Sequence, residues 1–556
     1  MRALPSHPDT VLVNGRIYTV DPDLPWAQAL AIREGRILAL GTDPEIRGLA
    51  GPRTRIIDVG GRLVLPGLWD AHIHFLPWAL GRQRVQLADT RSKAEMLARI
   101  QARAQETPPG RWLLGHGWNE SFWGETEFPT REDLDPVTGT DRPACFTRSD
   151  MHCAVVNTAA LQAAGITGET PDPPGGVIDR DPRGEPTGVL REQAMDLVFR
   201  HVPRPTDAEV EAAMRAGMAE LHRLGVTGIH DQRSGNGTEG RRALAAFQQL
   251  RQEGDLRLRV ACNLFYRDLE HVEALGLRTG LGDAVLRLGH VKLFTDGSLG
   301  SRTAWMMEPF LPQPGEPADN RGVNVTPVEE MAAAFRRATV QGFPISVHAI
   351  GDQANRVCLD LFEELASVGL QPPVPHRIEH AQTLHPDDLP RFGQLGLTAS
   401  VQPIHCTDDM DTADLLLGQR GRRMYRFRSL HAAGALLAFG SDAPVSDPNP
   451  FLGFHAALYR QRPERMERPA WYPEECLDLP TVIQAYTLGP AQAVGWQALL
   501  GSLAPGKRAD LIVLDRDLFA LAARNVRDDA IARTEVLLTL FDGQVVWADP
   551  RTGWSG

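Results

Sequence analysis

Hydrophobic and polar positions follow two different patterns along the chain. Near both ends, short apolar runs are separated by turn residues, as where Thr10–Val13 is followed by Asn14 and Gly15. At the other end, Glu535–Phe541 and Gln544–Trp547 flank the turn Asp542-Gly543. Short runs joined by such turns are typical of β-sheet. We therefore predict a small β-sandwich domain built from both termini, residues 1–66 and 496–556.

The middle of the chain, residues 67–495, has a longer period. Apolar runs of strand length alternate with amphipathic stretches of helical length, such as Thr206–Leu224 and Gln353–Val368. Strands that alternate with helices form parallel sheets, and eight such repeats predict an α/β fold, the (β/α)8 TIM barrel. The predicted strands end near His74, His230, Asn263, Phe294, His348, His380, Gln402 and Ser441.

The gap between the first two predicted strands is unusually long, at about 150 residues. Within it, residues 106–203 are rich in Pro and Gly and contain several Trp. Long insertions in compact domains are usually functional. We predict that this one lies over the barrel mouth as a lid or substrate-selecting subdomain; a peripheral subdomain without such a role is the alternative.

Composition excludes several classes of partner. A net charge of -12 without a long basic run argues against nucleic acid and against an anionic membrane surface. No run approaches 18 consecutive apolar residues, and the N-terminus lacks the apolar core of a signal peptide. Six scattered cysteines without a CxxC pair fit reduced thiols in a cytosol. We expect a cytoplasmic protein that acts on a small molecule.

Candidate metal ligands stand at the predicted strand ends. Side chains alternate along a strand, so His72 and His74 point the same way. The C-terminal ends of barrel strands share one mouth, where imidazoles and carboxylates could bind Zn²⁺. The further candidates at this mouth are Lys292, His348, His380 and Asp442.

Each candidate also has an ordinary structural interpretation. Lys292 could form an ion pair, for example with Asp296, and Asp442 could cap the following helix. A lone His348 or His380 could be a hydrogen-bonded core residue. Lysine is rare, however: Lys93, Lys292 and Lys507 are the three in the chain. Since lysine loses its proton more readily than arginine, each is a candidate for chemistry.

Several motifs connect these positions. They are Val64–His74, Gly115–Trp118, His152–Asn157, Gly184–Gly188, Thr295–Ala304, His348–Asp352 and Gly501–Leu511. In this combination the chain resembles the amidohydrolase superfamily over nearly its whole length. Within the superfamily it is similar to amidohydrolase family 3, the YtcJ-like metal-dependent hydrolases.

The resemblance implies a binuclear metal centre. His72, His74 and Asp442 would hold a first divalent metal, and His348 and His380 a second. Lys292 would bridge them after its amine reacts with carbon dioxide to form a carboxylated lysine. We expect one or two metals per chain, with Zn²⁺ favoured over Fe²⁺ and Mn²⁺. The resemblance also implies a homodimer, which no sequence feature establishes.

The implied chemistry is hydrolysis. A divalent metal activates water, and Asp442 would accept its proton and deliver it to a leaving amine. We predict cleavage of a non-peptide amide-like C–N bond, in an N-acyl amine, an N-formyl amine or a cyclic amide. A deaminase or an ester or carbamate hydrolase is an alternative on the same site. A non-catalytic binding module is the third reading.

Substrate contacts are predicted from residues near the mouth. His116, Trp118 and His152 lie in the insertion, whereas Phe294 and Arg302 belong to or follow the fourth strand. His116 could donate to an oxyanion, and Arg302 could bind a carboxylate through its guanidinium fork. Trp118 and Phe294 could form an apolar wall, although core packing is the common fate of such residues.

Overall fold

The computed structural model divides into two compact units, Met1–Phe75 with Met218–Gly556, and Leu76–Gly217. The structure describes residues 7–88, 90–118, 120, 123, 128–148, 153–173, 176–232, 239–312, 319–524 and 527–554.

The first unit contains a barrel of eight parallel strands. Its strands, in spatial as well as chain order, are β8 (Leu68–Ile73), β15 (Val226–Asp231), β16 (Arg259–Phe265), β17 (Leu286–Phe294), β18 (Ile345–Ala349), β19 (Arg377–His380), β20 (Thr398–Val401) and β21 (Leu436–Phe439). Each predicted strand end falls within two residues of the observed one. The predicted (β/α)8 fold is therefore confirmed.

Hydrogen bonds just beyond the strands close the ring between β21 and β8. The backbone N–H of Asp442 donates to the His72 carbonyl at 2.6 Å. The N–H of His74 donates to the Ala443 carbonyl at 2.9 Å. This closure brings the last strand end directly against the His72 and His74 pair.

Helices cover the outside of the barrel, which explains why the strands read as continuous apolar runs. The main helices of this unit are α8 (Glu239–Glu253), α9 (Leu269–Ala274), α10 (Val328–Gln341), α11 (Asp352–Ser367), α12 (Leu389–Gln394), α13 (Pro403–Leu417), α14 (Phe427–Ala432), α15 (Pro450–Tyr459), α16 (Leu479–Ala485) and α17 (Leu488–Ala493). Their buried faces and the strands form one large apolar core.

The same unit contains two further sheets built from both ends of the chain. One has the order β5-β4-β1-β6, and the other β24-β23-β22-β7-β2-β3. Because β22 pairs antiparallel with β7, the two termini share one sheet. The elements are β1 (Thr10–Val13), β2 (Arg16–Tyr18), β3 (Trp26–Ala27), β4 (Ala29–Arg33), β5 (Arg36–Gly41), α1 (Asp43–Arg47), β6 (Arg55–Asp58), β7 (Leu63–Pro66), β22 (Leu511–Leu514), α18 (Leu518–Ala523), β23 (Val536–Phe541) and β24 (Gln544–Ala548).

The second unit is a six-stranded sheet of order β13-β14-β12-β11-β10-β9 with its own apolar core. It encloses the insertion predicted at 106–203 and begins earlier, at Leu76. Its strands are β9 (Val85–Gln86), β10 (Leu113–Trp118), β11 (Ala144–Arg148), β12 (Cys153–Val156), β13 (Gly176–Arg180) and β14 (Pro186–Glu192). The helices in and bordering it are α2 (Phe75–Gly81), α3 (Lys93–Glu106), α4 (Arg131–Thr138), α5 (Thr158–Ala164), α6 (Asp196–Phe199) and α7 (Asp207–Arg223).

Among the described residues, no helix combines the length and the apolar character needed to cross a lipid bilayer.

Candidate metal centre

Three side chains from strand ends far apart in sequence meet closely. One ligand atom from each of His72, His380 and Asp442 lies within 4.8 Å of the other two. The Asp442 carboxylate is 3.2 Å from His72 Nε2 and 3.3 Å from His74 Nε2. Two imidazoles and a carboxylate at this spacing are a donor set that suits Zn²⁺.

His348 lies beside this group. Its ring centroid is 4.6 Å from that of His380, which in turn is 4.9 Å from that of His72. The Nε2 of His348 donates to the Gly297 carbonyl at 3.0 Å, which leaves the lone pair on Nδ1. The structure thus brings together the four histidines predicted as ligands.

Unusual backbone conformations aim two of these side chains. His380 and Asp442 have φ angles of 71° and 60°, in the left-handed region that non-glycine residues seldom occupy. Such strain persists where the surrounding structure imposes it and is concentrated at functional sites. Because the turn falls at the last strand residue, His380 joins the cluster while Glu379 keeps its inward strand position.

Asp70 and Gly440 hold the first and last strand ends together. The Asp70 carboxylate accepts from the backbone N–H groups of His72 (3.1 Å) and Ser441 (3.0 Å) and from the Ser441 hydroxyl. Burial raises the pKa of Asp70 to about 6. A Cβ at Gly440 would lie 2.4 Å from the His72 nitrogen, so only glycine fits there.

Two of the candidate ligands, His72 and His380, each form a hydrogen bond through Nδ1. His72 Nδ1 lies 2.7 Å from a Glu379 carboxylate oxygen, and His380 Nδ1 lies 2.8 Å from the Gln402 amide oxygen. Both oxygens accept, so Nδ1 carries a proton in each ring, and Nε2 is the nitrogen left to bind a metal. Burial alone would raise the pKa of Glu379. Arg377 and His72 outweigh this effect of burial and hold the pKa of Glu379 well below its usual range.

Lys292 is completely buried, and no hydrogen-bond partner of its Nζ lies within reach among the described residues. The centroid of the Phe294 ring is 4.9 Å from Nζ. Burial lowers the pKa of Lys292 to about 8, against the opposing effect of Glu379 and Asp442. A buried polar group without a partner is costly, so this amine fits a site that gains a ligand.

Among the described residues Asp296 does not bond to the Lys292 amine, so the ion-pair interpretation of Lys292 with Asp296 is wrong. The Asp296 carboxylate accepts from the backbone N–H groups of Trp305 (2.8 Å), Ile350 (3.0 Å) and Gly351 (2.8 Å). Burial raises the pKa of Asp296 to about 7. The residue therefore fixes the loop that follows His348.

The cluster has the protonation state that metal binding requires. Burial lowers the pKa of His348 to about 4 and that of His380 well below its ordinary value, so both imidazoles are neutral. Burial alone would raise the pKa of Asp442. His72 and His74 outweigh this effect and lower the pKa well below its ordinary value, so the carboxyl is ionised. The residues present therefore fit one or two divalent cations.

The predicted substrate residues of the first unit lie in and after β17. The Phe294 ring is 5.4 Å from that of His348, so it borders the cluster. Arg302 lies in the following loop with a φ of 56°, and its carbonyl accepts from Asn320. Asp231, at the end of β15, accepts from the backbone N–H of Phe75 at 3.0 Å and so caps the start of α2.

In the second unit, Trp118 is a core residue. Its indole is fully buried, donates to the Phe146 carbonyl at 2.8 Å and packs edge-on against Phe128. This indole therefore presents no exposed face for the apolar wall predicted from it. His116 is half-buried, with Nδ1 3.1 Å from the Thr147 hydroxyl. His152 lies outside the described residues.

Three residues that support the cluster are not identified by sequence reasoning: Glu379, Asp70 and Gln402. The sequence places Glu379 on a predicted strand and Asp70 in the motif Val64–His74 without assigning either a partner. For Glu379, the available signal was its position two residues after Arg377 on a predicted barrel strand, which places both side chains on the same face. Charged side chains are rarely buried unless they are paired, so these two could be expected to form an ion pair. For Gln402, the signal was its position at the end of the seventh predicted strand.

A closed parallel barrel with histidines, a carboxylate and a buried lysine at one mouth defines a metal-dependent hydrolase of the TIM-barrel class. The model of the amidohydrolase family matches residues 55–547. The chain therefore belongs to the amidohydrolase family, which confirms the resemblance inferred from its motifs.

The chain is also similar to individual proteins over nearly its whole length. Protein LONG AFTER FAR-RED 3 of Arabidopsis thaliana is 36% identical over 94% of this chain and 90% of its own length. The putative amidohydrolase YtcJ of Bacillus subtilis is 30% identical, over 96% and 98%. N-substituted formamide deformylase of Arthrobacter pascens is 29% identical, over 95% and 97%. The crystal structure of an uncharacterized metal-dependent hydrolase from Pyrococcus furiosus has a TM-score of 0.73 and 30% identity, over 91% and 99%.

Proposed function

We propose that this protein hydrolyses a non-peptide amide-like C–N bond, in an N-formyl amine, another N-acyl amine or a cyclic amide. The observation that carries the proposal is the convergence of His72, His380 and Asp442 within 4.8 Å at the barrel mouth. The C–N bond class is supported by similarity over 95% of the chain to a protein named N-substituted formamide deformylase.

The proposed ligands divide into two sets. His72, His74 and Asp442 would hold one divalent metal, and His348 and His380 the other, with Zn²⁺ favoured by the nitrogen donors. The Lys292 amine would attack carbon dioxide, form an N–C bond and release a proton. The resulting carbamate would carry a negative charge on two oxygens. It would give the Lys292 amine, which has no hydrogen-bond partner among the described residues, a role as bridging ligand.

The residues of the chain have distinct parts in the reaction. A bound divalent metal supplies Lewis acidity toward water and toward the scissile carbonyl. Asp442, ionised and next to His72 and His74, accepts the proton of the attacking water. It then delivers that proton to the leaving nitrogen as the C–N bond breaks. Phe294, beside His348, offers an apolar surface to the substrate.

The test is turnover by the metal-reconstituted protein on a matched set of substrates. The set contains N-formyl amines, N-acetyl amines and cyclic amides, with esters, carbamates and ring amidines alongside. We expect a new free amine from one of the amides, released from an N-acyl amine or formed by ring opening of a cyclic amide. Ammonia release from a ring amidine would indicate a deaminase instead, and hydrolysis restricted to esters or carbamates would also overturn the proposal.

Two properties stay predictions, one implied by the resemblance and one inferred from the sequence. They are the homodimer, which light scattering of the purified chain checks, and the cytoplasmic location, which fractionation of the source cells checks.

A further inference from the structure

A row of polar side chains crosses the interior of the barrel next to the metal cluster. Arg377 and Glu379 occupy alternate positions on β19, point to the same face and are completely buried. Their guanidinium and carboxylate form an ion pair, with Nη2 of Arg377 3.1 Å from one oxygen of Glu379. The proposed mechanism uses neither residue.

Arg377 connects four strands of the barrel. Its Nη2 donates to the Ala71 carbonyl on β8 and to the Ser400 hydroxyl on β20, both at 2.6 Å. Its Nη1 donates to His230 Nδ1 on β15, also at 2.6 Å. With Glu379 on its own strand, the guanidinium has a fixed place and orientation.

This fixed donor sets the direction of the neighbouring hydrogen bonds. A guanidinium donates and cannot accept, so Glu379 receives hydrogen bonds from Arg377. The Glu379 carboxylate also accepts from the Ser346 hydroxyl at 2.6 Å. Its remaining contact is His72 Nδ1 at 2.7 Å, which must therefore be the protonated nitrogen. The other ring nitrogen of His72, Nε2, faces the Asp442 carboxylate at 3.2 Å and is the nitrogen left to bind a metal.

His380 provides a comparison within the same cluster. Its Nδ1 donates to the neutral amide oxygen of Gln402, whereas that of His72 donates to a carboxylate. A charged acceptor makes a stronger hydrogen bond and increases the basicity of the imidazole. His72 is therefore the better electron donor of the two.

We propose that Arg377 and Glu379 are positioning residues for His72, which hold its Nδ1 proton, orient its ring and thereby set the metal affinity of the centre. This inference rests on the proposed metal centre. The competing explanation is that the pair only joins barrel strands, as a buried ion pair can do without affecting a ligand.

The test compares Glu379→Gln with a matched control, Glu475→Gln. Glu475 is likewise buried and accepts from Arg426 Nε (2.7 Å) and from the Ser429 N–H (3.0 Å). Zn²⁺ affinity is measured by competition with a chromophoric chelator. We expect Glu379→Gln to weaken Zn²⁺ binding about 10- to 100-fold and Glu475→Gln to leave it unchanged. Urea unfolding of both metal-free variants measures the structural cost of each change.

A milder variant covers the case in which Glu379→Gln does not fold. Ser346→Ala removes one hydrogen bond to Glu379 and keeps every charge, and we expect about a 2- to 10-fold loss of Zn²⁺ affinity. Equal affinity of wild type and the foldable variant would overturn the positioning role while leaving the proposed function intact. If the wild-type chain bound no Zn²⁺, both proposals would fall.

Discussion

Replacing Lys292 with methionine should have opposite effects on stability and on metal binding. Methionine has a similar length and no charge, so it fills the same buried space without the amine. In the metal-free protein, the change removes a buried group whose Nζ has no hydrogen-bond partner among the described residues. In the metal-loaded protein, it removes the proposed bridging ligand.

The magnitude follows from the pKa of the buried amine. Burial lowers that pKa from 10.5 to about 8, which corresponds to about 3 kcal/mol of disfavoured ammonium at neutral pH. An unsatisfied buried polar group costs about 1–3 kcal/mol by mutational data. We therefore expect metal-free Lys292→Met to be more stable than wild type by about 1–3 kcal/mol at pH 7.

The pH dependence has a definite sign. Between about pH 8 and 10.5 the unfolded chain binds more protons at Lys292 than the folded chain does. The stability of the metal-free wild type therefore rises with pH across this window. The advantage of Lys292→Met should be complete below about pH 8 and should shrink toward pH 10.5.

Urea unfolding of chelator-treated protein in bicarbonate-depleted buffer, followed by tryptophan fluorescence, measures this effect. Lys507→Met is the matched control. The Nζ of Lys507 donates to the Gln497 carbonyl (2.6 Å) and the Ser502 hydroxyl (2.7 Å), so its removal should destabilise the protein. If metal-free Lys292→Met were as destabilised as the control, the buried Lys292 amine would not carry the cost assigned to it here.

Three further changes separate chemistry from structure. Asp442→Asn, in protein confirmed to retain metal, should lower kcat about 10²- to 10⁴-fold in the substrate assay; near wild-type turnover would exclude Asp442 as the proton carrier. Gly440→Ala would place a Cβ 2.4 Å from the His72 nitrogen, so metal content and thermal stability should both fall. In the wild type the Arg259 guanidinium lies 2.8 Å from the buried Asp510 carboxylate. Arg259→Met removes this partner and leaves the carboxylate buried. Urea unfolding should show a loss of about 3–5 kcal/mol, with Zn²⁺ affinity unchanged. A changed affinity would contradict a purely structural role for the ion pair between Arg259 and Asp510.

The fold could be predicted because its pattern is local. Barrel strands are buried on both faces, so each appears as an apolar run, and polar side chains follow where the run reaches the mouth. His72, Lys292, His348 and Asp442 stand at such ends. Their convergence could be predicted from one rule, that the parallel strands of a barrel all end at the same mouth.

The supporting residues could not be assigned in the same way, because their partners come from distant strands. Glu379 contacts His72 across 307 positions of sequence, and Asp70 contacts Ser441 across 371. Periodicity shows that such residues are buried, but not which group each one meets. Trp118 illustrates the converse: a motif tryptophan that the sequence offered as a substrate contact is packed in the core of the second unit.

The most direct measurement is the metal content of the purified, active protein by elemental mass spectrometry, beside that of His380→Ala. We predict at least about one divalent metal per wild-type chain and a clear loss in the variant, since His380 lies between His72 and His348 in the cluster. Active wild-type protein with less than about one metal per chain, or undiminished metal in His380→Ala, would contradict a metal centre at the barrel mouth.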